Sequence, residues 1–390
     1  MKLSKYLFTG VFMFSLAGCS LFGGEEEVVQ ISPSPTVNNQ FYIQQLWRNS
    51  TLGNTHIYSL LGPINYNNII YVASRSGQVK AIDSTTGNTI WDVDISESTL
   101  FSSKTALLSG GVNADDKYVY VGSERARVYA LDRSNGKVVW EKNVKGEVLA
   151  RPVSSENKLI VYTANGTVQG LNRDTGEEIW DINLEVPALS LRGNSTPTIA
   201  HGAAIFGDDN GRVNANFIKN GQLIWQQRIS QPSGSTEIAK INDVDATPVV
   251  EGNLVYCVGY NGYVVALDLS NGHIVWRKQL GSTHTLAIDS ERLFLVDQDD
   301  NVQALSKKDG TILWTQSGFL HRQLTDPVIY DNYIVVGDFQ GYLYLLNIEN
   351  GELAAKTHVS SSGLLSTPLV VDNKIIVQVK NGDIYTFIKN

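Results

Sequence analysis

The sequence predicts an all-β chain folded as an eight-bladed β-propeller, and three observations carry that expectation. A motif of the form A-x-D-x-x-x-G-x-x-x-W recurs along most of the chain, and self-similarity at such spacing marks propellers and solenoids. No segment sustains helical periodicity over ten residues, which excludes an alternating α/β chain. The last repeat is cut short, while an unpaired strand near the start carries the missing tryptophan.

The repeats align on Trp91, Trp140, Trp180, Trp225, Trp276 and Trp314, with Ala355 in the seventh place. Four residues before each stands glycine: Gly87, Gly136, Gly176, Gly221, Gly272, Gly310 and Gly351. Fourteen before each stands a second turn position, occupied by Gly77, Ala126, Gly166, Gly211, Gly262, Asp300 and Gly341. Five of the seven units carry proline twenty-eight residues before the aligned position. Short apolar, β-branched and aromatic runs between these punctuation marks are strands joined by tight turns, four to a unit. Glycine supplies the positive φ of such turns, and Asp300 is a tolerable substitute because aspartate also visits that region. Each tryptophan is expected to wedge between neighbouring sheets, worth about 1.5–3 kcal/mol when buried.

Closure follows from counting. Pro368 and Gly382 open an eighth unit, but the chain stops at Asn390, before a tryptophan place. The run Gln40–Trp47 should supply that outer strand and so seal the last blade to the first. Residues 41–390 then form the propeller, at about 44 residues per blade. Ala355 and the units without proline or the second glycine leave local blade geometry open.

Composition removes several function classes. Charged residues make up 18% and the formal charge is −8, so no nucleic-acid partner is expected, since phosphate binding needs a basic surface. Two cysteines cannot build a disulfide scaffold. The histidines show neither zinc-protease spacing, and no P-loop, dinucleotide fingerprint or nucleophile elbow is present. Cys257 sits in an apolar strand run and should pack as a small hydrophobe.

The N-terminus is a targeting segment. Lys2 and Lys5 precede an apolar run, Tyr6 to Leu16, too short to span a bilayer, so 1–18 is expected to be a signal peptide. Leu16-Ala17-Gly18-Cys19 resembles a bacterial lipobox, which implies lipidation of Cys19 and anchoring in outer-membrane lipid, facing the periplasm. Ser20 follows where inner-membrane lipoproteins commonly carry Asp. Residues 19–40 are rich in Gly, Pro, Ser and Glu and are expected to form a flexible tether.

The repeat itself resembles those of pyrroloquinoline-quinone dehydrogenases, so a quinone enzyme is one reading. It lacks support: no adjacent cysteines occur, and Asp297–Asn301, the best calcium-like run, lacks the Gly and distal Glu of a Ca²⁺ loop. That run and Gly207-Asp-Asp-Asn-Gly211 are expected to be hairpin turns, and no cofactor and no metal are expected. The stretches Ala188-Leu-Ser-Leu-Arg-Gly193, GDDNGRV at 207–213, IWQQRIS at 224–230 and GSTEIAKINDVDATP at 234–248 resemble the BamB family, lipoproteins of the β-barrel assembly machinery. The resemblance implies a non-enzymatic scaffold, docked on the POTRA domains of a BamA-like barrel-forming subunit and supporting insertion of outer-membrane proteins. Contact with unfolded outer-membrane clients stays open. A third reading is a propeller that binds a small ligand; its sign would be polar groups converging on the central channel.

The connections between blades place the docking surface. They hold 20, 11, 16, 22, 9, 12 and 12 residues from Trp91 onward and should emerge on one face. Two long neighbours are 181–196 and 226–247, and long loops in compact domains are usually functional. They carry Leu189, Leu191 and Arg192, and Asp243 and Asp245, which match the partner-binding residues implied by the resemblance. Leucines beside an arginine suit an interface hot spot; the aspartates either orient Arg192 or meet a basic residue of the partner.

Overall fold

The structure, a computed structural model, describes residues 30–50, 61–99, 102–231 and 234–390. The signal peptide and Cys19 lie outside the described residues. Eight four-stranded antiparallel sheets follow one another. The first is built from Ile64–Tyr66, Ile69–Ala73, Gln78–Asp83 and Thr89–Asp94, and six more repeat that order. The eighth joins Leu369–Val371, Lys374–Gln378 and Ile384–Lys389 to Ile43–Asn49 from the start of the chain. That closing strand runs antiparallel to the last one, from Ile43 opposite Lys389 to Asn49 opposite Ile384. The eight-bladed propeller expected from the repeat, sealed by its N-terminal strand, is the fold.

The motif has a physical explanation in every position. Its alanine pairs across the sheet with its tryptophan, as Ala81 does with Trp91 and Ala266 with Trp276. A small residue there leaves room for the indole. Its aspartate caps the turn that follows: Asp83 Oδ1 accepts from the amides of Thr85 and Thr86. Its glycine has a positive φ, +75° at Gly87 and +74° at Gly136, and lies beneath the tryptophan of the preceding blade. A Cβ on Gly136 would stand 2.6 Å from Trp91 Cε3. The same indole donates through Nε1 to the carbonyl of Arg133, at 2.9 Å. One residue type therefore ties seven of the eight blades to the next by packing and by a hydrogen bond.

Ala355 is the exception that this logic explains. Blade eight has no turn between its third and fourth strands, because the two chain ends meet there, so no turn glycine awaits a tryptophan from blade seven. The cross-strand partner changes size to match, Leu345 standing opposite Ala355, and both are fully buried. The core is divided in the same way: eight apolar clusters, each formed between two neighbouring blades. Cys257 is buried in one of them, where burial raises its thiol pKa, as expected of an inert packing residue.

The propeller unit starts at Ile31, ten residues before the boundary read from composition. The Ser32 amide donates to the Leu320 carbonyl at 3.0 Å and the Gln40 amide to Ala354 at 2.9 Å. Arg322, buried in an ion pair with Asp338, donates to the Ser32 carbonyl, and Lys356 donates to the Pro35 carbonyl. Residues 32–40 are thus strapped onto blade seven. Their Pro and Ser content suits an extended strap as well as a tether, because the partners are supplied from 280 and more positions away.

A candidate partner-docking face beside the central channel

In each blade the strands alternate in direction, so the turn between the second and third strands opens on the same face as the connection to the next blade. Loops 181–196 and 226–247 therefore sit beside turns 74–77, 123–126 and 208–211. The first strands of neighbouring blades approach one another and ring a central channel of about 1350 Å³. Leu191, Arg192 and Asp245 line it, with Arg75 and Glu124.

Arg192 is anchored although its side chain is 61% exposed. Its guanidinium pairs with Glu124 at 3.1 Å and with Glu147 at 3.1 Å, so it bridges to blade two and to the connection that follows it. Glu124 is also gripped by Arg75 through two bonds of 2.9 and 2.5 Å. Burial works against the Glu124 carboxylate, but the Arg75 and Arg192 guanidiniums outweigh it and hold its pKa below the ordinary carboxylate range. The aspartates do not pair with Arg192. Asp243 is buried, and its Oδ2 accepts a short hydrogen bond from the Leu191 amide. Asp245 lies against Gly193, where a Cβ would come within 2.7 Å of its Oδ2. Asp243 thus meets loop 181–196 through the Leu191 amide, and Asp245 packs against it at Gly193.

Beside the exposed Arg192 side chain, apolar groups also reach solvent. Leu189 is 44% exposed and Leu191 half-buried, and Ile238, on the 3₁₀ turn Ile238–Lys240 of the neighbouring loop, is 70% exposed. Glu124, Glu147 and Ile238 were not singled out from the sequence. Ile238 was the findable one, an isoleucine in the middle of a long polar loop.

The other sequence candidates are absorbed by the fold. The Asp297 carboxylate is filled by the amides of Asp299 and Asn301 and by the Asn301 and Gln303 side chains, the expected hairpin turn. Asp300, with φ +61°, also accepts from the amides of Gln323 and Leu324. Polar groups do converge on the channel, but most are paired with each other: Arg75 and Arg192 with Glu124, and His284 with Asp326 at 2.8 Å.

Comparison with known proteins fits this geometry. The family described as "Outer membrane protein assembly factor BamB" matches residues 75–316. A protein of that name from Yersinia pestis is 48% identical over 99% of this chain and 100% of its own length. The chain belongs to the BamB family. The solved BamB of Moraxella catarrhalis superposes with a TM-score of 0.80 at 25% identity, over 89% of this chain and all of that one. A quinohemoprotein alcohol dehydrogenase from Comamonas testosteroni shares the fold alone, with a TM-score of 0.68 at 16% identity, over 89% of this chain and 76% of the enzyme. BamB relatives are assembly factors by name, so the quinone-enzyme reading keeps only a common architecture.

Proposed function

We propose that this chain is a non-enzymatic scaffold of outer-membrane protein assembly, held to the outer membrane by a lipidated Cys19 and docked on the POTRA domains of a BamA-like subunit. The docking surface is the apolar crest Leu189–Leu191 with Arg192, flanked by Ile238. One observation supports this reading above the others: the crest is preorganised. The Leu191 amide is held by Asp243, and Arg192 by Glu124 and Glu147, so little ordering entropy remains to be lost on binding. Leu189 is exposed and Leu191 half-buried, and neither belongs to the apolar clusters between blades. Asp243 and Asp245 act in this reading as supports of the loop.

Capture of the partner by a Leu191→Ala/Arg192→Ala double variant tests the surface. Each hot-spot truncation costs on the order of 2 kcal/mol, so capture falls at least about tenfold while the blades stay folded. Unchanged capture removes this face from consideration. For the anchor, Cys19→Ala should leave the chain soluble in the periplasm; its recovery in the outer membrane of cells lacking the partner would exclude lipidation as the anchor.

A further inference from the structure

Beneath the crest lies a feature that docking does not use. Asp209, Asp243 and Asp245 converge so that one carboxylate oxygen from each lies within 4.8 Å of the others. They come from two elements: Asp209 from the second turn of blade four, and Asp243 and Asp245 from loop 226–247. Asp208, the neighbour of Asp209, is the turn residue proper. Its Oδ1 accepts the amides of Asn210 and Arg212, and its Oδ2 the Asn214 amide group. Asp209 is free of that duty and faces the other two.

Three carboxylates out of water need compensation, and here it is scarce. Asp209 and Asp243 are buried and Asp245 half-buried. Their hydrogen-bond donors are the amides of Leu191, Asn242 and Asp243 itself on Asp243 and the Ser190 hydroxyl on Asp209, with none on Asp245 among the described residues. Asp243 Oδ1 is buried with no partner. No lysine or arginine among the described residues offsets any of the three. Burial and mutual repulsion accordingly push Asp209 up to about 7, Asp243 up to about 6, and Asp245 well above the ordinary range.

A second observation points to a ligand. Asn194 is only 9% exposed; its amide N–H group reaches the Tyr162 hydroxyl, and its Oδ1 is buried with no hydrogen-bond partner. It follows Gly193, whose backbone abuts the Asp245 carboxylate. Its amide borders the buried Tyr162 hydroxyl, the same hydroxyl that lies in the field of Asp209, Asp208 and Asp245. A buried neutral oxygen without a partner thus stands one residue from the contact between Gly193 and the Asp245 carboxylate.

We propose that Asp209, Asp243 and Asp245, with Asn194 Oδ1, form a divalent cation site that takes Ca²⁺. The donors are all hard oxygens, and ligands on Ca–O bonds of about 2.3–2.6 Å stand up to roughly 5 Å apart, which suits the observed spread. Mg²⁺, with its shorter bonds and near-ideal octahedron, fits a set drawn from two loops less well. The ion ties turn 208–211 to loops 181–196 and 226–247. It goes beyond the docking reading and does not depend on it.

The test uses the mature chain in detergent, stripped with EGTA and titrated with Ca²⁺ by calorimetry, and with Tb³⁺, whose emission Tyr162 sensitises. One Ca²⁺ per chain is expected, with Kd in the range of extracellular modules, about 10⁻⁴–10⁻³ M, and Ca²⁺ also raises the melting temperature. Asp209→Asn and Asp245→Asn, which relieve repulsion and so keep the fold, should each weaken binding at least about tenfold and abolish the Tyr-sensitised emission. No saturable Ca²⁺ binding, or Tb³⁺ emission unchanged in both variants, overturns the site. In that case the cluster is neutralised by protons alone.

Discussion

Trp47 lies over Gly87: a Cβ placed on that glycine would stand 2.5 Å from the indole Cδ2. The two residues belong to the eighth and first blades, and the same indole donates to the carbonyl of Ser84. This is the contact that blades one to six make with their successors, repeated where the closing blade meets the first. Truncating Trp47→Ala removes both the packing and the clasp. Aromatic-to-alanine changes at such sites cost about 3–5 kcal/mol; because Trp47 is only half-buried, the lower end is expected. Denaturant unfolding of the mature chain measures it, and a cost below about 1 kcal/mol would show that closure rests on strand pairing alone.

Blade seven offers the converse change. Ala355 and Leu345 are both fully buried and face each other across the sheet. Restoring the repeat consensus with Ala355→Trp should therefore destabilise, by about 1–3 kcal/mol or more, as overpacking does. A neutral or stabilising result would mean that the strap at 32–40 yields to let the indole in.

How much of this was legible follows from where the partners sit. The blades and their closure could be read because the motif residues satisfy one another at fixed spacing: Ala81 with Trp91, Asp83 with Thr86, Trp91 with Gly136. Loop 181–196 could be placed, but the anchors of Arg192 could not. Glu124 belongs to a turn of blade two and Glu147 to the connection after it, and no periodicity links them to the loop. The pair Asp208–Asp209 shows a finer limit. Two adjacent acids in a turn look alike, and only the structure shows that one is consumed by turn amides while the other points to Asp243 and Asp245. The strap is not legible in the sequence because Pro33 and Pro35 weaken any strand signal, and its hydrogen bonds go to loop and edge groups of a distant blade.

The strap is held at one buried point. Arg322 donates to Asp338 Oδ2 and to the Ser32 carbonyl, and the pair is 1% and 0% exposed at its side chains. Tyr344 donates to the same carboxylate and stands 2.7 Å from Ser34 Oγ. Arg322→Ala leaves Asp338 buried and without its ion-pair partner, which costs about 3–5 kcal/mol. The same variant should expose residues 31–40 to limited proteolysis before the blades open. Cleavage no faster than in the unaltered chain would mean that the strap is held by Gln40 and Lys356 instead.

The acidic cluster sets a pH dependence. Asp209 and Asp243 titrate near 7 and 6 when folded, against about 3.9 in the unfolded chain. The folded state then holds more protons between these values, so stability is greatest below about pH 4 as far as these groups are concerned. It falls as pH rises through 6 and 7. Asp208, Asp245 and the Tyr162 hydroxyl share the field, and all act in the same direction. In EGTA the chain should lose on the order of 4 kcal/mol between pH 5 and pH 8, and Asp209→Asn should flatten that slope. Identical slopes in the two proteins would place the neutralising charge elsewhere.

Asp243 distinguishes support of the crest from direct contact with the partner. Its Oδ2 accepts the Leu191 amide hydrogen and the residue is 1% exposed. A support needs an acceptor oxygen but no charge, which asparagine supplies at the same length; alanine supplies neither. Capture of the BamA-like partner, measured in EGTA so that a bound cation does not enter, should therefore stay within about threefold for Asp243→Asn. It should fall about tenfold for Asp243→Ala, the cost of one buried hydrogen bond to a charged group, about 1.5–3 kcal/mol. If Asp243 instead meets a basic residue of the partner, the loss of charge alone weakens capture, and asparagine performs as poorly as alanine. That second pattern would move Asp243 from beneath the docking surface onto it.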